Sequence, residues 1–492
     1  MSLLESRTVP LWIDNEAVLS GITFPVTNSA TGESLTAHGA TPEIVQNAVN
    51  SSYHAFHIWK RSTPWQRREL LTRAASLLQE RREEAAAILR ASTITMTNTP
   101  CVETPIDDFM VHQINIQTSI DLLEELAGQI MHTTDGVVQP SKQSDTMLAM
   151  VFREPLGVQV GIAPWNASLF LGMRAVATPI ACGNTAILKA SEKTPMAHHF
   201  IGRLFHDAGF PAGVLNVIQH SQEDAVSIVN ALVSDSRVRK INFTGSTAVG
   251  KIIAANAAKH CKPVLLELGG KSAQLVLADA DLDKAAEAAA IGAFTHHGQV
   301  CMSTERILVS ESVLDKFSEK LSASSTRLSE NVCPGASVEH TSKITALLED
   351  ARANGARILG GGEGAHQDGS FLTPRILVNV TRKMKIWHTE TFAPIALLIP
   401  FSTVNEAVAL ANDTTYGLSA SVYTANIPLA IEIGRRLESG SVHINSMTIH
   451  DEAHMPHGGV KESGWGRFGV PWGFAEFTQL KTITITDTHL TG

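Results

Sequence analysis

Leu70, Leu71, Ala74, Leu77 and Leu78 recur at helical spacing and predict one buried face, behind the start signal Ser62-Thr63-Pro64. Thr41-Pro42 opens an earlier helix in the same way, with a capping hydroxyl and a proline at the first position. Residues 8–40 ahead of it read as short strands and turns, with Thr31-Gly32 and His38-Gly39 as turn signals. Residues 104–130 read as another long helix, with Ile116, Ile120 and Leu123 on one side. The stretch 131–150 is polar and interrupted, with a turn at Asp135-Gly136. It fits either a surface loop or a hairpin that leaves the main body to make oligomer contacts.

From Leu156 the pattern changes to strand, helix, strand, helix. Strands are predicted at Val158 to Ala163, Ala186 to Lys189, Leu215 to Ile218, Lys240 to Phe243 and Val264 to Leu268. Helices fall between them at Leu169 to Cys182, 196–208, 222–233 and 247–259. Such alternation predicts a parallel sheet covered on both faces, with its ligand beyond the carboxyl ends of the strands. Leu282 to Phe294 is helical, and a second α/β region follows Cys301, with a Gly-rich loop at 360–364. Thr482 to Thr486 alternates like an edge strand.

At 492 residues the chain has room for two or three domains and a large core. Its 44% hydrophobic and 18% charged content is that of an ordinary globular protein. A net charge of −9, with no Lys/Arg-rich run, argues against a nucleic-acid surface. The first residues lack a basic region followed by an apolar stretch, so no secretory signal is expected. The apolar tract from Leu156 to Leu188 is broken by Arg174, glycines and prolines, so no membrane span is expected either. The cysteines 101, 182, 261, 301 and 333 are scattered and contain no C-x-x-C pair. This spacing suggests neither a zinc ribbon nor a disulfide framework, and a reducing, cytoplasmic compartment is the natural expectation.

Two stretches carry candidate covalent chemistry. Gly298-Gln299-Val300-Cys301-Met302-Ser303 places a thiol after a glycine bend, and Glu267-Leu268-Gly269-Gly270-Lys271 places a carboxylate at the end of a strand. A lone cysteine is more often buried and inert. A thiol and a carboxylate, each beside glycine, also suit a nucleophile and its base.

Further motifs suit a nucleotide. Phe243-Thr244-Gly245-Ser246-Thr247-Ala248-Val249-Gly250 leaves a strand and enters a helix, where N–H groups and the positive helix end favour a phosphate. Gly245 to Lys251 also satisfies G-x-x-x-x-G-K, but Ile252 stands where a P-loop needs Ser or Thr for Mg²⁺. The G-x-G-x-x-G fingerprint is absent. In Lys189-Ala190-Ser191-Glu192-Lys193-Thr194-Pro195, Lys189 and Glu192 suit the two hydroxyls of a ribose. A carboxylate there would repel a 2′-phosphate and favour NAD over NADP; a helix cap is the bland alternative, and the two are compatible. In Pro164-Trp165-Asn166, Asn166 is either an oxyanion donor or a helix cap. Glu390-Thr391-Phe392-Ala393-Pro394 offers a carboxylate for a second ribose and an aromatic for a flat ring.

In this order, P-W-N, K-x-S-E, F-T-G-S-x-x-x-G, E-L-G-G-K, G-Q-x-C, E-x-F-x-P, Asn445 and Pro456-His457-Gly458-Gly459 resemble the aldehyde dehydrogenase superfamily over nearly the whole chain. The resemblance implies an α/β fold with a Rossmann-like parallel-sheet NAD-binding domain (1–126 and 147–266) and an α/β catalytic domain (267–460). It also implies a small β oligomerisation arm (127–146 and 470–492) and a homodimer or homotetramer. It implies Cys301 as the nucleophile that forms a thiohemiacetal and then a thioester, with Asn166 and the Cys301 N–H on the oxyanion. Glu267 would activate the hydrolytic water. Trp165, Lys189, Glu192, Gly245, Ser246, Gly250, Glu390 and Phe392 match cofactor positions, for NAD in preference to NADP. Ala393, Ala273 and His457 depart from the family's usual Gly, Pro and Phe, and none of these removes a catalytic group.

Arg174 is the only charge between Glu154 and Lys189, and an unpaired buried charge is costly. It is read as binding a phenolate, hydroxyl or carboxylate of the substrate, or as one half of an interdomain salt bridge. With Arg174, the loop His450-Asp451-Glu452-Ala453-His454-Met455-Pro456-His457 resembles the salicylaldehyde, vanillin and benzaldehyde dehydrogenase branch. His450 and His457 are therefore expected in a polar substrate pocket, His296 and His297 near it, and no metal is expected. The function expected is NAD-dependent oxidation of a hydroxylated aromatic aldehyde to its acid, in aromatic catabolism or polyketide tailoring. A carboxylate-bearing or aliphatic semialdehyde is the second substrate class, and a non-catalytic binding or structural homologue is the alternative of another kind.

Overall fold

The computed structural model describes residues 3–28, 31–92, 109–143, 147–329, 335, 337–359 and 372–486. One sheet runs in the order Gly464–Trp465, Val264–Glu267, Val238–Thr244, Val158–Ile162, Thr185–Lys189, Leu215–Ile218, Leu11–Ile13, Glu16–Val18. From Val264–Glu267 to Leu215–Ile218 neighbouring strands are parallel, and the outer strands are antiparallel. The chain lays down Val158–Ile162, moves outward through Thr185–Lys189 and Leu215–Ile218, then crosses back to Val238–Thr244 on the other side. Loops leaving Val158–Ile162 and Val238–Thr244 therefore diverge and open a crevice at the carboxyl edge. Pro164-Trp165-Asn166 leaves one of these strands and Gly245-Ser246 the other. Lys189 and Glu267 end the flanking strands, in register with Ile162 and Thr244.

A second sheet has the order Arg357–Leu359, Arg375–Val378, Ile395–Phe401, Thr304–Ser310, Ser272–Val276, Ser419–Tyr423, Ser441–Ile444. Ser272 and Thr304 are register partners at the amino ends of adjacent parallel strands. This explains how two distant motifs meet. Glu267 ends a strand of the first sheet, and Gly269-Gly270 carries the chain straight into the second, beside the strand that Cys301 precedes.

Local chemistry sets the helices. Thr41 Oγ1 accepts from the Ile44 N–H at the start of Pro42–Trp59, and Thr63 and Gln66 cap Pro64–Glu80 reciprocally. Leu71, Ala74 and Leu78 are buried, whereas Leu70 and Leu77 only border the core. Helices Thr247–Lys259 and Leu282–Phe294 have the bounds their patterns predict. All fourteen residues of helix Ser168–Ala181 are buried, as expected of a helix apolar on every side, and Arg174 lies among them.

The helix expected over 104–130 differs. Its described part winds as a π-helix over Phe109–Gln117 and as an α-helix only over Thr118–Gly128. Asn115 in the wide turn donates to the Met110 carbonyl, while its Oδ1 accepts the Leu169 N–H that opens Ser168–Ala181. The Asn115 side chain thus supplies an acceptor for an N–H in the first turn of Ser168–Ala181, which has no partner within its own helix.

The interrupted stretch is a hairpin. Val137–Pro140 pairs with Leu148–Pro155, which pairs along its length with Thr478–Ile485. The middle strand continues beyond residue 146, where the arm was expected to end. The Gly-rich 360–364, Cys101 and Cys333 lie outside the described residues. No helix among the described residues is long and apolar enough to cross a membrane.

Candidate active site

Cys301 lies on a bend forced by left-handed backbone at His296, His297 and Gly298, with φ of 53°, 59° and 67°. A side chain at Gly298 would also collide with the Ala393 carbonyl, and one at Gly270 with the carbonyl of Cys301. The two glycine-bearing loops are thereby packed together. Cys301 Sγ donates to Glu267 Oε1 at 3.1 Å.

Glu267 is buried, and its other oxygen is held by Arg174: Nη2 to Oε2 is 2.6 Å. Arg174 also pairs with Asp451 at 3.2 Å and donates to Thr244 Oγ1 at 3.4 Å. Its guanidinium stacks 4.3 Å from the Phe468 ring centre and 5.5 Å from that of Phe170. His457 closes the network, with Nε2 3.7 Å from Glu267 Oε1 and Nδ1 3.6 Å from Asp451 Oδ1. Burial pushes the Glu267 carboxyl up, but the Arg174 charge, His457 and the Cys301 thiol outweigh it and bring it down to about 2. Burial and the Glu267 charge push the Cys301 thiol well above its ordinary value.

Of the two sequence readings of Arg174, the structure shows an ion pair, made to Glu267 and Asp451, on the wall of the cavity. His450 is engaged within its own loop and by a neighbouring strand: its Nε2 lies 2.7 Å from Glu452 Oε1, and its ring centre lies 4.8 Å from that of His443, with the rings tilted. His454 faces Glu452 as well. Asn166 does not cap the next helix, whose cap position is Ala167 without a side-chain bond. Its Nδ2 donates to the Gln299 carbonyl at 2.9 Å, and a side-chain amide has a second N–H to offer.

Two chambers share Asn166, Leu171, Glu267 and Cys301. The larger, about 950 Å³ and open to solvent, is lined by Trp165, Gly245, Ser246, Glu390 and Phe392. The smaller is walled by Met110, Phe170, Val300, Met302 and Ile449, with Arg174, His450, Asp451 and His457 as polar groups. Cys301 therefore stands where a cofactor-sized cleft meets an apolar pocket.

The large chamber suits a dinucleotide. Ser246 Oγ caps helix Thr247–Lys259 through the Val249 N–H, presenting the helix start to the cleft. Lys189 is buried, and its ammonium makes no hydrogen bond among the described residues; burial lowers it and the Glu192 charge opposes this. A buried ammonium beside a carboxylate matches a ligand diol that would satisfy both. Glu390 Oε1 accepts the Gly270 N–H at 2.9 Å, and burial and the Glu305 charge push its carboxyl up to about 8. Phe392 meets Trp165 edge to face at 6.0 Å. Gly250 sits within the helix instead, where its missing side chain makes room for Leu268. Lys251 pairs with Glu462 at 2.6 Å on the surface, so the P-loop reading of this glycine stretch fails.

A model of the aldehyde dehydrogenase family matches residues 12–483. The chain belongs to that family. It is an NAD(P)-dependent aldehyde dehydrogenase. Over 473 residues it is 41% identical to a vanillin dehydrogenase of Pseudomonas sp. strain HR199, covering 94% of each chain. It is 37% identical over 470 residues to a salicylaldehyde dehydrogenase of Pseudomonas sp. strain C18, covering 94% of this chain and 93% of that one. The crystal structure of a salicylaldehyde dehydrogenase from Pseudomonas putida G7, complexed with salicylaldehyde, superposes with a TM-score of 0.91 at 35% identity. That match covers 97% of this chain and 98% of the other.

Several participants in this aldehyde dehydrogenase were not foreseen. Asp451 links Arg174 to His457; it stood in the loop read as polar but had been given no role of its own. Glu305 pairs with Lys271 and accepts the Thr391 and Phe392 N–H groups, fixing the loop of Glu390. Lys193 lies 5.2 Å from the Trp165 ring centre. A signal existed for Glu305, a charge inside the apolar strand Thr304–Ser310; none existed for the other pairings, which join distant segments.

Proposed function

We propose that this enzyme oxidises a ring-hydroxylated aromatic aldehyde of the salicylaldehyde type to its acid, with NAD as the preferred oxidant. The observation that carries the reading is the smaller chamber. Its aromatic and aliphatic walls suit a benzene ring, Cys301 lines it where it adjoins the larger chamber, and Arg174, Asp451 and His457 offer a ring hydroxyl fixed polar partners. The vanillin and salicylaldehyde dehydrogenases among its relatives support the same class. The Arg174 ion pair makes a free carboxylate clamp less apt, because such a substrate would compete with two protein carboxylates already in place.

In this reading the Cys301 thiolate attacks the aldehyde carbon, and the oxygen turns toward the Asn166 amide and the Cys301 N–H. When bound, the nicotinamide supplies the hydride acceptor. Cys301 retains the acyl group as a thioester, and Glu267 takes a proton from the water that releases the acid. Lys189 and Glu192 would hold one ribose and Glu390 the other, with Ser246 and the helix start at the phosphates. The Glu192 carboxylate supports NAD over NADP.

We divide the chain as 1–126 and 156–266 for the cofactor, 267–460 for catalysis, and 127–155 with 470–492 as an oligomerisation arm, moving the expected boundary after residue 146 to the end of strand Leu148–Pro155. A homodimer or homotetramer acting in the cytoplasm fits the arm's exposed apolar residues.

The test is formation of reduced cofactor with salicylaldehyde, benzaldehyde and succinic semialdehyde, each with NAD and NADP, for wild type and Arg174→Ala. Salicylaldehyde with NAD should be fastest, and the variant should lose that preference. Faster oxidation of succinic semialdehyde would overturn the aromatic assignment.

A further inference from the structure

We propose that His457 is the terminal proton acceptor of the site, receiving through Glu267 the proton that Cys301 gives up. The proposal rests on the reading of Cys301 as nucleophile. Glu267 Oε1 is the atom that ties the three together: it accepts Cys301 Sγ at 3.1 Å and lies 3.7 Å from His457 Nε2. At that separation no hydrogen bond joins Glu267 and His457 before substrate binds, and the relay requires the two to close on binding, as catalytic contacts often do.

The imidazole is buried and held in place. The backbone of His457 is pinned: its main-chain N–H donates to the Phe468 carbonyl at 3.0 Å, and the Phe468 main-chain N–H donates to the His457 carbonyl at 2.8 Å. Its second nitrogen faces Asp451 Oδ1 at 3.6 Å, so the ring stands between two carboxylates. Carboxylate oxygens thus flank both ring nitrogens, so Nδ1 can keep its proton toward Asp451 while Nε2 faces Glu267.

The other charges around it are few. Arg174 opposes the imidazolium but is shared between the same two carboxylates. His443 nearby is pushed down to about 4 by burial and by His450 and His457, and so stays neutral. Arg467 is committed to the Gly459 and Gly466 carbonyls.

The relay meets a need that Glu267 cannot meet alone. A carboxylate held low by Arg174 keeps a proton poorly, whereas the Cys301 thiol is held high and releases one reluctantly. The thiol proton passes to Glu267 Oε1, and the proton on that carboxyl passes to His457 Nε2. Thiolate, carboxylate and imidazolium result. The thiolate pair then forms the C–S bond while the carbonyl π pair moves onto oxygen. The imidazolium releases its proton to solvent before the thioester is hydrolysed; a proton of the attacking water then follows the same path and is released in turn.

The experiment compares wild type with His457→Phe and His457→Gln. Phenylalanine preserves an aromatic shape in an apolar pocket, and glutamine preserves polarity; neither accepts the proton. Folding is verified by thermal unfolding and by NAD titration. The readouts are the pH dependence of Cys301 alkylation by iodoacetamide and that of the pre-steady-state burst of reduced cofactor.

Both variants should alkylate about tenfold or more slowly at neutral pH, with the inflection moved to higher pH. Their kcat should fall on the order of 10²-fold at little change in KM, the scale of one general base. Added imidazole should restore part of the rate in His457→Gln. Profiles that superimpose on wild type, with equal burst rates, would overturn the relay while leaving Cys301 as nucleophile. Full activity in Cys301→Ala would instead remove the parent reading, and the relay with it.

Discussion

Arg174 Nη2 stands 2.6 Å from Glu267 Oε2, and both side chains are withdrawn from solvent. A helix of the cofactor-side sheet thus supplies the counter-charge for the proposed base. Burial raises the Glu267 carboxyl, but Arg174 outweighs it and brings it from an ordinary 4.5 to about 2. The pair therefore stabilises the fold fully above the unfolded value, and that contribution is lost as pH falls from 4.5 toward 2.

Arg174→Met leaves Glu267 buried and uncompensated, which should cost about 3–5 kcal/mol at neutral pH. The deficit against wild type should shrink in mild acid, because the stranded carboxyl then takes up a proton. Arg174→Met with Glu267→Leu should recover most of the loss. Urea unfolding at two pH values, read as a double-mutant cycle, checks all three expectations. Additive single effects would mean that the ion pair contributes nothing.

Glu267→Gln keeps the hydrogen-bonding shape beside Cys301 and removes the base. Because Glu267 also passes on the Cys301 proton, acylation should slow as well, by about tenfold, and hydrolysis by more. Rapid mixing with salicylaldehyde and NAD should give close to one equivalent of reduced cofactor per site. Turnover should then be slowed on the order of 10²–10⁴-fold, as for loss of a general base. Mass spectrometry should find the acyl group on Cys301. A burst at the wild-type rate would take Glu267 out of the first step, and the relay to His457 with it.

The parts legible in the sequence were those set by local pattern. Thr247–Lys259 and Leu282–Phe294 were visible because a capping Ser246 or Asp281 precedes an uninterrupted run. The closeness of Cys301 and Glu267 was expected from their motifs, and the register of Ser272 with Thr304 supplies its physical cause. The π-helix at Phe109–Gln117 was not legible, since it depends on Asn115 reaching a helix start far along the chain. Nor were the partners of Arg174, because burial demanded some carboxylate without saying which.

Glu192 should govern the choice of cofactor. Replacing it by Gln removes the negative charge facing Lys189 while keeping the length of the side chain. The ratio of kcat/KM for NAD over NADP should fall about tenfold, corresponding to roughly 1.4 kcal/mol. Lys189→Met should weaken both cofactors. An unchanged ratio in Glu192→Gln would move the discrimination elsewhere.

The three-stranded arm exposes Val138 and Leu480, each 66% accessible, on strands that end their sheet. Exposed apolar strands of this kind call for a covering surface. Val138→Glu with Leu480→Glu should shift the protein to a smaller species in analytical ultracentrifugation while its unfolding curve stays nearly unchanged. An unaltered sedimentation profile would exclude this face as the contact.

Glu305 joins the Lys271 ammonium to the Thr391 and Phe392 N–H groups, and Phe392 has a left-handed φ of 47°. The carboxylate thus offsets a strained backbone at the loop that presents Glu390 and Phe392 to the cofactor cleft. Glu305→Gln leaves Lys271 buried without its opposite charge, and the amide accepts fewer bonds than the carboxylate. Stability should drop by about 3–5 kcal/mol, as for a broken buried pair. NAD affinity should fall as the loop loosens, whereas alkylation of Cys301 without cofactor should hardly change. Thermal unfolding, NAD titration and alkylation rates on one preparation separate these effects. If stability falls but NAD binding is retained, Glu305 supports the core and not the cofactor loop.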